Sequence, residues 1–214
     1  MGQFASDSFT GTEGDELTVY SSDWINGPVY TGKMEISSGR AMQTNTVSTL
    51  YRHVNTPASA DYSVSADLFV KSLAPVNSVG VAGRASATVA TLYHARYGGG
   101  ATAKWQLYKI VSGTFTLLGD SAQTVADETA YNIKLDMSGT AIKLFKENEG
   151  TAVVSVTDSA ITAAGFAGIR SFTGTAISDS TGMHVDNFSA DEVAATTASP
   201  SNPLRGPVSM RGPI

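Results

Sequence analysis

The chain has 214 residues, of which 42% are hydrophobic and only 15% charged, with a net charge of −5 and no cysteine. That length suits one large domain or two small ones, with apolar residues enough for a real core. The missing cysteines exclude a disulfide framework and thiolate chemistry, and the acidic balance gives no global basic field for nucleic acid.

The predicted elements are short and alternate apolar with polar residues. Tyr62–Val70 alternates nearly strictly, with Tyr62, Val64, Ala66, Leu68 and Val70 on one face. Val79–Arg84 and Thr91–Tyr97 follow. Lys104–Val111 and Phe115–Leu118 are joined at Ser112-Gly113, the spacing of a hairpin. Tyr131–Met137 has a clean period of two and turns at Ser138-Gly139 into Ala141–Lys146. Val153–Val156, Phe166–Arg170 and Met183–Ala190 complete the strands, and Ser159–Ala164 reads as one short helical turn. Many short strands at regular spacing, no long amphipathic helix, and 21 glycines define an all-β chain. The expected architecture is a two-sheet antiparallel β-sandwich, a jelly roll, over residues 1–192. No run of ~18 apolar residues suggests a membrane span, and no N-terminal apolar run reads as a signal peptide.

The order of motifs resembles a known family. Asp7-Ser-Phe9 followed by Gly11-Thr-Glu-Gly14 and Leu17 is similar to the opening of concanavalin A-like (laminin-G-like) jelly rolls, of the kind found in bacteriophage structural proteins. Lys104-Trp-Gln-Leu-Tyr-Lys109, the stretch from Tyr131 to Leu144, Gly165-Phe-Ala-Gly-Ile-Arg170 and Asp186-Asn-Phe188 resemble its later strands in the right order. The resemblance implies a sandwich whose first and last strands lie near each other. The family spans lectins, glycan hydrolases and structural modules, so it leaves function open.

No catalytic set is visible. Glycan hydrolysis needs two carboxylates flanking the bond. The closest pair, Glu147 and Glu149, falls in a predicted turn. Gly119-Asp-Ser121 lacks a nucleophile elbow, and His53, His94 and His184 are scattered. His184-Val-Asp186 puts two potential ligands on one strand face, whereas His94-Ala-Arg96 has the same spacing but no acid. No metal and no cofactor are expected, and the chain reads as a non-enzyme. For sugar contact, Trp24, in a loop-like stretch, and Tyr97, beside Gly98, are the candidate exposed aromatics; Trp105 reads as core.

The C-terminus changes character. Residues 1–192 hold all 19 acids and 12 of the 14 bases; the rest holds only Arg205 and Arg211. Residues 193–203 read as an uncharged flexible linker. Residues 204–214 read as an extended, proline-locked docking arm, with Leu204, Arg205, Pro207, Val208, Met210, Arg211, Pro213 and Ile214 as its contacts. On this basis the expected function is a structural protein of a bacteriophage particle: a capsid decoration or head/tail accessory subunit, made in the host cytoplasm and located in the virion. Its expected partners are capsid or tail subunits and copies of itself, as a trimer at a lattice point. The alternative is a carbohydrate-binding (lectin-like) or receptor-binding module with a surface glycan as partner.

Overall fold

A computed structural model describes residues 2–70, 77–99, 103–122, 125–174, 178 and 180–193. In chain order the strands are β1 (Gln3–Asp7), β2 (Trp24–Asn26), β3 (Met34–Ser37), β4 (Arg40–Gln43), β5 (Thr49–His53), β6 (Tyr62–Val70), β7 (Asn77–Ala85) and β8 (Leu92–Gly98). There follow β9 (Lys104–Val111), β10 (Thr114–Ala122), β11 (Thr129–Ser138), β12 (Ala141–Lys146), β13 (Val154–Thr157), β14 (Phe166–Thr173) and β15 (Met183–Glu192). One four-residue helical turn, α1 (Leu17–Tyr20), buries Leu17.

The strands form two antiparallel sheets. One runs β13-β12-β11-β6-β15-β4-β3, with β1 also paired to β15; the other runs β10-β9-β8-β7-β14-β5-β2. This is the expected β-sandwich, and its first and last strands are neighbours. Alternation decides which side chains lie between the sheets. Val64, Ala66 and Leu68 of β6 face inward with Ile133, Leu135 and Met137 of β11, all fully buried. They meet Val79, Val81, Tyr93, Ala95, Trp105 and Leu107 of the opposite sheet.

Turns are set by left-handed residues. Ser112 (φ 48°) and Gly113 (φ 84°) close the β9–β10 hairpin, and Ser38 and Gly39 close β3–β4 in the same way, a pair of positive φ values that matches strand twist. The helical turn expected at Ser159–Ala164 is absent. That segment is irregular, with bends at Ala160 and Ala163: Ile161 is buried in the core and its carbonyl accepts Arg84 Nη1 at 2.7 Å. Asp158 also accepts the backbone N–H of Ala160 at 2.9 Å, a local turn that competes with helix.

Apart from Val193, the linker and the docking arm, from Leu204 to Ile214, lie outside the described residues.

Candidate functional site

The outer face of the seven-stranded sheet carries the most unusual chemistry in the molecule. Its composition follows from register. One cross-strand row runs Asp120, Gln106, Arg96, Gly80, Arg170 and Leu50, from β10 to β5. The next row runs Leu117, Tyr108, His94, Ala82, Gly168, Arg52 and Ile25. Their sequence neighbours Val79, Val81, Tyr93, Ala95, Trp105, Leu107 and Ile169 belong to the inner core, so these rows face outward.

The face is concave. Phe115 of β10 lies 4.9 Å from the Arg170 guanidinium of β14. Four strand spacings separate those strands, roughly 19 Å in a flat sheet. The two side chains can meet only if the sheet curls toward them. Its floor is made of the smallest residues. A Cβ on Gly80 would fall 2.0 Å from the Ala95 carbonyl oxygen, and one on Gly168 would fall 2.2 Å from that of Tyr51. The floor therefore holds Gly80, Ala82 and Gly168, with cationic side chains rising on either side.

Those side chains are positive and poor in partners. Arg170 is 2% exposed; its Nε and Nη1 have no hydrogen-bond partner among the described residues. Its guanidinium lies between the rings of Tyr30 (5.2 Å) and Phe115. Arg52 is 6% exposed, stacks on Phe166 at 4.6 Å, and also has Nε and Nη1 unpartnered. Half-buried Arg96 stacks on Tyr108 at 4.4 Å, and donates to Gln106 Oε1 (3.0 Å) and Ser78 Oγ (3.2 Å). Burial pushes all three guanidinium groups below their ordinary range. His94 is fully buried, with its ring close to the Arg170 backbone. Burial, then the charges of Arg170 and Arg96, hold its imidazole neutral, well below the usual histidine range. The single carboxylate of the two rows, Asp120, is bound to Lys104 at 2.8 Å.

Arg84 shows what a purely structural arginine looks like in this protein. It is 2% exposed, yet its guanidinium donates to the carbonyls of Ala60, Ile161 and Gly139 and pairs with Asp61 at 3.5 Å. Buried arginines are ordinarily satisfied in this way. Arg170 and Arg52 are only partly so: Arg52 Nη2 donates to the Asn26 carbonyl at 3.4 Å and Arg170 meets Tyr30, while Nε and Nη1 of each have no partner among the described residues.

The aromatic residues expected to contact sugar are elsewhere. Trp24 is 1% exposed, a correction to its expected surface position. Its ring packs on Phe9 and Phe188, and its indole N–H donates to Asp7 Oδ2 at 2.6 Å. The D-x-F opening explains this: Asp7 also accepts the Phe9 N–H (2.6 Å) and the Tyr20 hydroxyl (2.8 Å). Tyr97 is also 1% exposed, on the inner face of β8 with its ring 5.2 Å from Trp105. Neither ring is open to a sugar. Trp105 is core, as expected. On the concave face Phe115 is exposed, and Tyr108 and Tyr30 are half-buried.

The remaining candidates are scattered. Glu147 and Glu149 lie in an exposed turn, where Glu149 pairs with Lys146 at 3.2 Å. Ser121 sits on the edge strand β10 opposite Trp105. His53 packs between Trp24 and Phe188 in the interior, His94 is on the concave face, and His184 lies beside Phe69 on the other sheet. Among the described residues no three His, Asp or Glu side chains gather as metal ligands. A polar cleft of about 550 Å³ opens beside β1, but its Asp7 is already saturated by three donors.

No family model and no curated protein matches the chain. Solved structures do. The carbohydrate-binding module CBM66 from Bacillus subtilis is similar with a TM-score of 0.60 at 12% identity, over 79% of this chain and 96% of that one. A Bacillus subtilis protein of unknown function with a galectin-like fold gives 0.64 at 11% identity, over 90% and 96%. A GlcNAcα1-4Gal-releasing endo-β-galactosidase from Clostridium perfringens gives 0.60 at 10% identity, over 88% and 62%. The shared property is the galectin-like, concanavalin A-like sandwich, which serves binding modules and enzymes alike.

Proposed function

We propose that this chain is a carbohydrate-binding module whose ligand surface is the concave face of the seven-stranded sheet. The observation that carries this reading is the pair of cross-strand rows. Hydrogen-bonding side chains, Gln106, Arg96, Arg170 and Arg52, flank a floor of Gly80, Ala82 and Gly168, with Tyr108 and Phe115 as ring surfaces. Sugar sites combine directed polar groups with aromatic faces in a concave surface. The fold shared with CBM66 adds support.

A binding role is favoured over hydrolysis by the side chains present. The two rows contain one carboxylate, Asp120, and it is already paired with Lys104. Acid–base cleavage of a glycosidic bond needs two. The particle-structural role, the virion partners and the trimer rest on the sequence of residues 204–214 and on family resemblance. The structural neighbours weigh toward the glycan reading and carry nothing specific to a bacteriophage.

A glycan array followed by calorimetry tests the proposal. Binding to a defined glycan, lost in Arg96→Ala and in Tyr108→Ala but kept in a distant surface variant such as Lys143→Ala, is expected. Full binding by both concave-face variants would move the site elsewhere.

A further inference from the structure

We propose, resting on the glycan-binding reading, that the concave face selects a sugar bearing an anionic group, a carboxylate or a sulfate ester, held in the trough between Arg96 and Arg170.

The charge count on this face motivates the inference. Arg52, Arg96, Arg170 and Lys104 oppose Asp120 alone, in a chain whose net charge is −5. Acids are plentiful in the sequence, yet the central rows contain one, and Lys104 holds it. Three guanidinium groups without a carboxylate between them repel one another and lose hydration. The aromatic stacks offset part of that cost, and a bound anion would offset more of it.

Geometry points the same way. Arg96 and Arg170 are both direct cross-strand partners of Gly80. Their Cα atoms are therefore two strand spacings apart, roughly 10 Å, the residue between them in the row is a glycine, and the buried His94 imidazole lies near both guanidinium groups. Buried Arg170 leaves its Nε and Nη1 without hydrogen-bond partners among the described residues, and each is a charged donor for an oxygen of a carboxylate or sulfate. Arg170 cannot turn to another partner, because Tyr30 and Phe115 cover its faces. Half-buried Arg96, fixed by Gln106 and Ser78, stands at the rim where a ligand would enter. Tyr108 is half-buried under Arg96, and exposed Phe115 offers a ring surface for the sugar itself.

The test uses the full chain and matched probes: polygalacturonate, the same polymer with its carboxyls reduced, a sulfated dextran, unmodified dextran, and sodium acetate and sulfate. The expected result is binding to the anionic polymers at least tenfold tighter than to their neutral counterparts, weakening with salt. Arg170→Gln and Arg96→Gln should each lose it by tenfold or more. Arg96→Lys should recover only part, because it keeps the charge but not the guanidinium. The polygalacturonate and sulfated-dextran arms tell carboxylate from sulfate ester. A thermal melt of each variant separates misfolding from lost contact, and rim residue Arg96 keeps the test sound should Arg170→Gln not fold. Equal binding to charged and neutral polymers overturns the anionic preference and leaves the glycan reading standing. Binding of acetate or sulfate as tightly as of the polymers overturns the sugar reading. Binding of none of the probes overturns the anionic preference.

Discussion

The indole N–H of Trp24 donates to Asp7 Oδ2 at 2.6 Å, and this bond ties the opening motif of the chain to its interior. Asp7 takes two more donors, from Phe9 N–H and the Tyr20 hydroxyl. Phe9 stacks on the same indole and Phe188 meets it edge-on, so the segment after the first strand and the last strand share one aromatic cluster. Replacing Asp7 by Ala strands a buried indole N–H and a phenol hydroxyl. Each such orphan costs about 1–3 kcal/mol. Asp7→Ala should therefore lower unfolding free energy by at least about 2 kcal/mol, read by urea denaturation and by tryptophan fluorescence. A loss under half of that would mean the cluster stands without its carboxylate.

The concave floor makes a second prediction. Gly80→Val would push its side chain into the Ala95 carbonyl and the Arg96 Cα, 2.0 and 2.6 Å from where a Cβ would lie. Backbone cannot yield as a flexible side chain can. A cost above about 2 kcal/mol is expected, at the upper end of overpacking effects. Glycan binding should fall as well, because Arg96 and Arg170 are both registered on Gly80. Gly39→Ala, at a turn with open space around it, should cost less, limited to its positive φ.

Strand alternation made much of this fold legible. Tyr62–Val70 and Lys104–Val111 match the structure at both ends: in the first every second residue is apolar and buried, and in the second Trp105 and Leu107 keep that pattern up to the hairpin end. The first sixty residues were harder: β2, β3 and β4 are three or four residues long, too short to show a period. The turn-rich neighbours of Trp24 resemble a loop, whereas its burial goes with a bond to Asp7, seventeen residues away. The site was half visible. His94 and Arg96 shared a face in the sequence, and Arg170 sat in a strand motif. That Arg96 and Arg170 flank the same glycine is a fact of non-local pairing.

The boundary near residue 192 predicts independent folding. β1 and β15 are zipped from Gln3–Asp191 to Asp7–Phe188, and Glu192 N–H closes on the Gly2 carbonyl at 3.0 Å. The last described backbone bond joins Val193 N–H to the Asp61 carbonyl at 3.2 Å. A chain ending at residue 193 should give the same circular dichroism spectrum and cooperative melt as the full chain. A broad or shifted melt would show that residues 194–214 contribute to the domain.

The buried histidines give the last prediction, a loss of stability in mild acid. Burial, joined for His94 by the charges of Arg170 and Arg96, depresses the folded-state affinity of His94 and His53 for a proton. Their unfolded-state value is near 6.5. The unfolded chain therefore takes up protons that the folded chain refuses. This contribution to stability is fully present above pH ~6.5 and is lost as pH falls below it, by up to about 1.4 kcal/mol per pH unit for each histidine that stays neutral. Glu16 and Asp158 also have lowered folded values, through Lys33 with Tyr51 and through Lys109 with Tyr93, against the desolvation each suffers. Their contributions fade only as pH drops below ordinary carboxylate values near 4.5 and 3.8, so the two windows separate. Urea denaturation at pH 7.5, 6.0 and 5.0, in buffers free of carboxylate, should show falling stability in wild type and a shallower fall in His94→Gln. Parallel curves for the two proteins would mean that His94 protonates readily in the folded state, against its burial among the arginines.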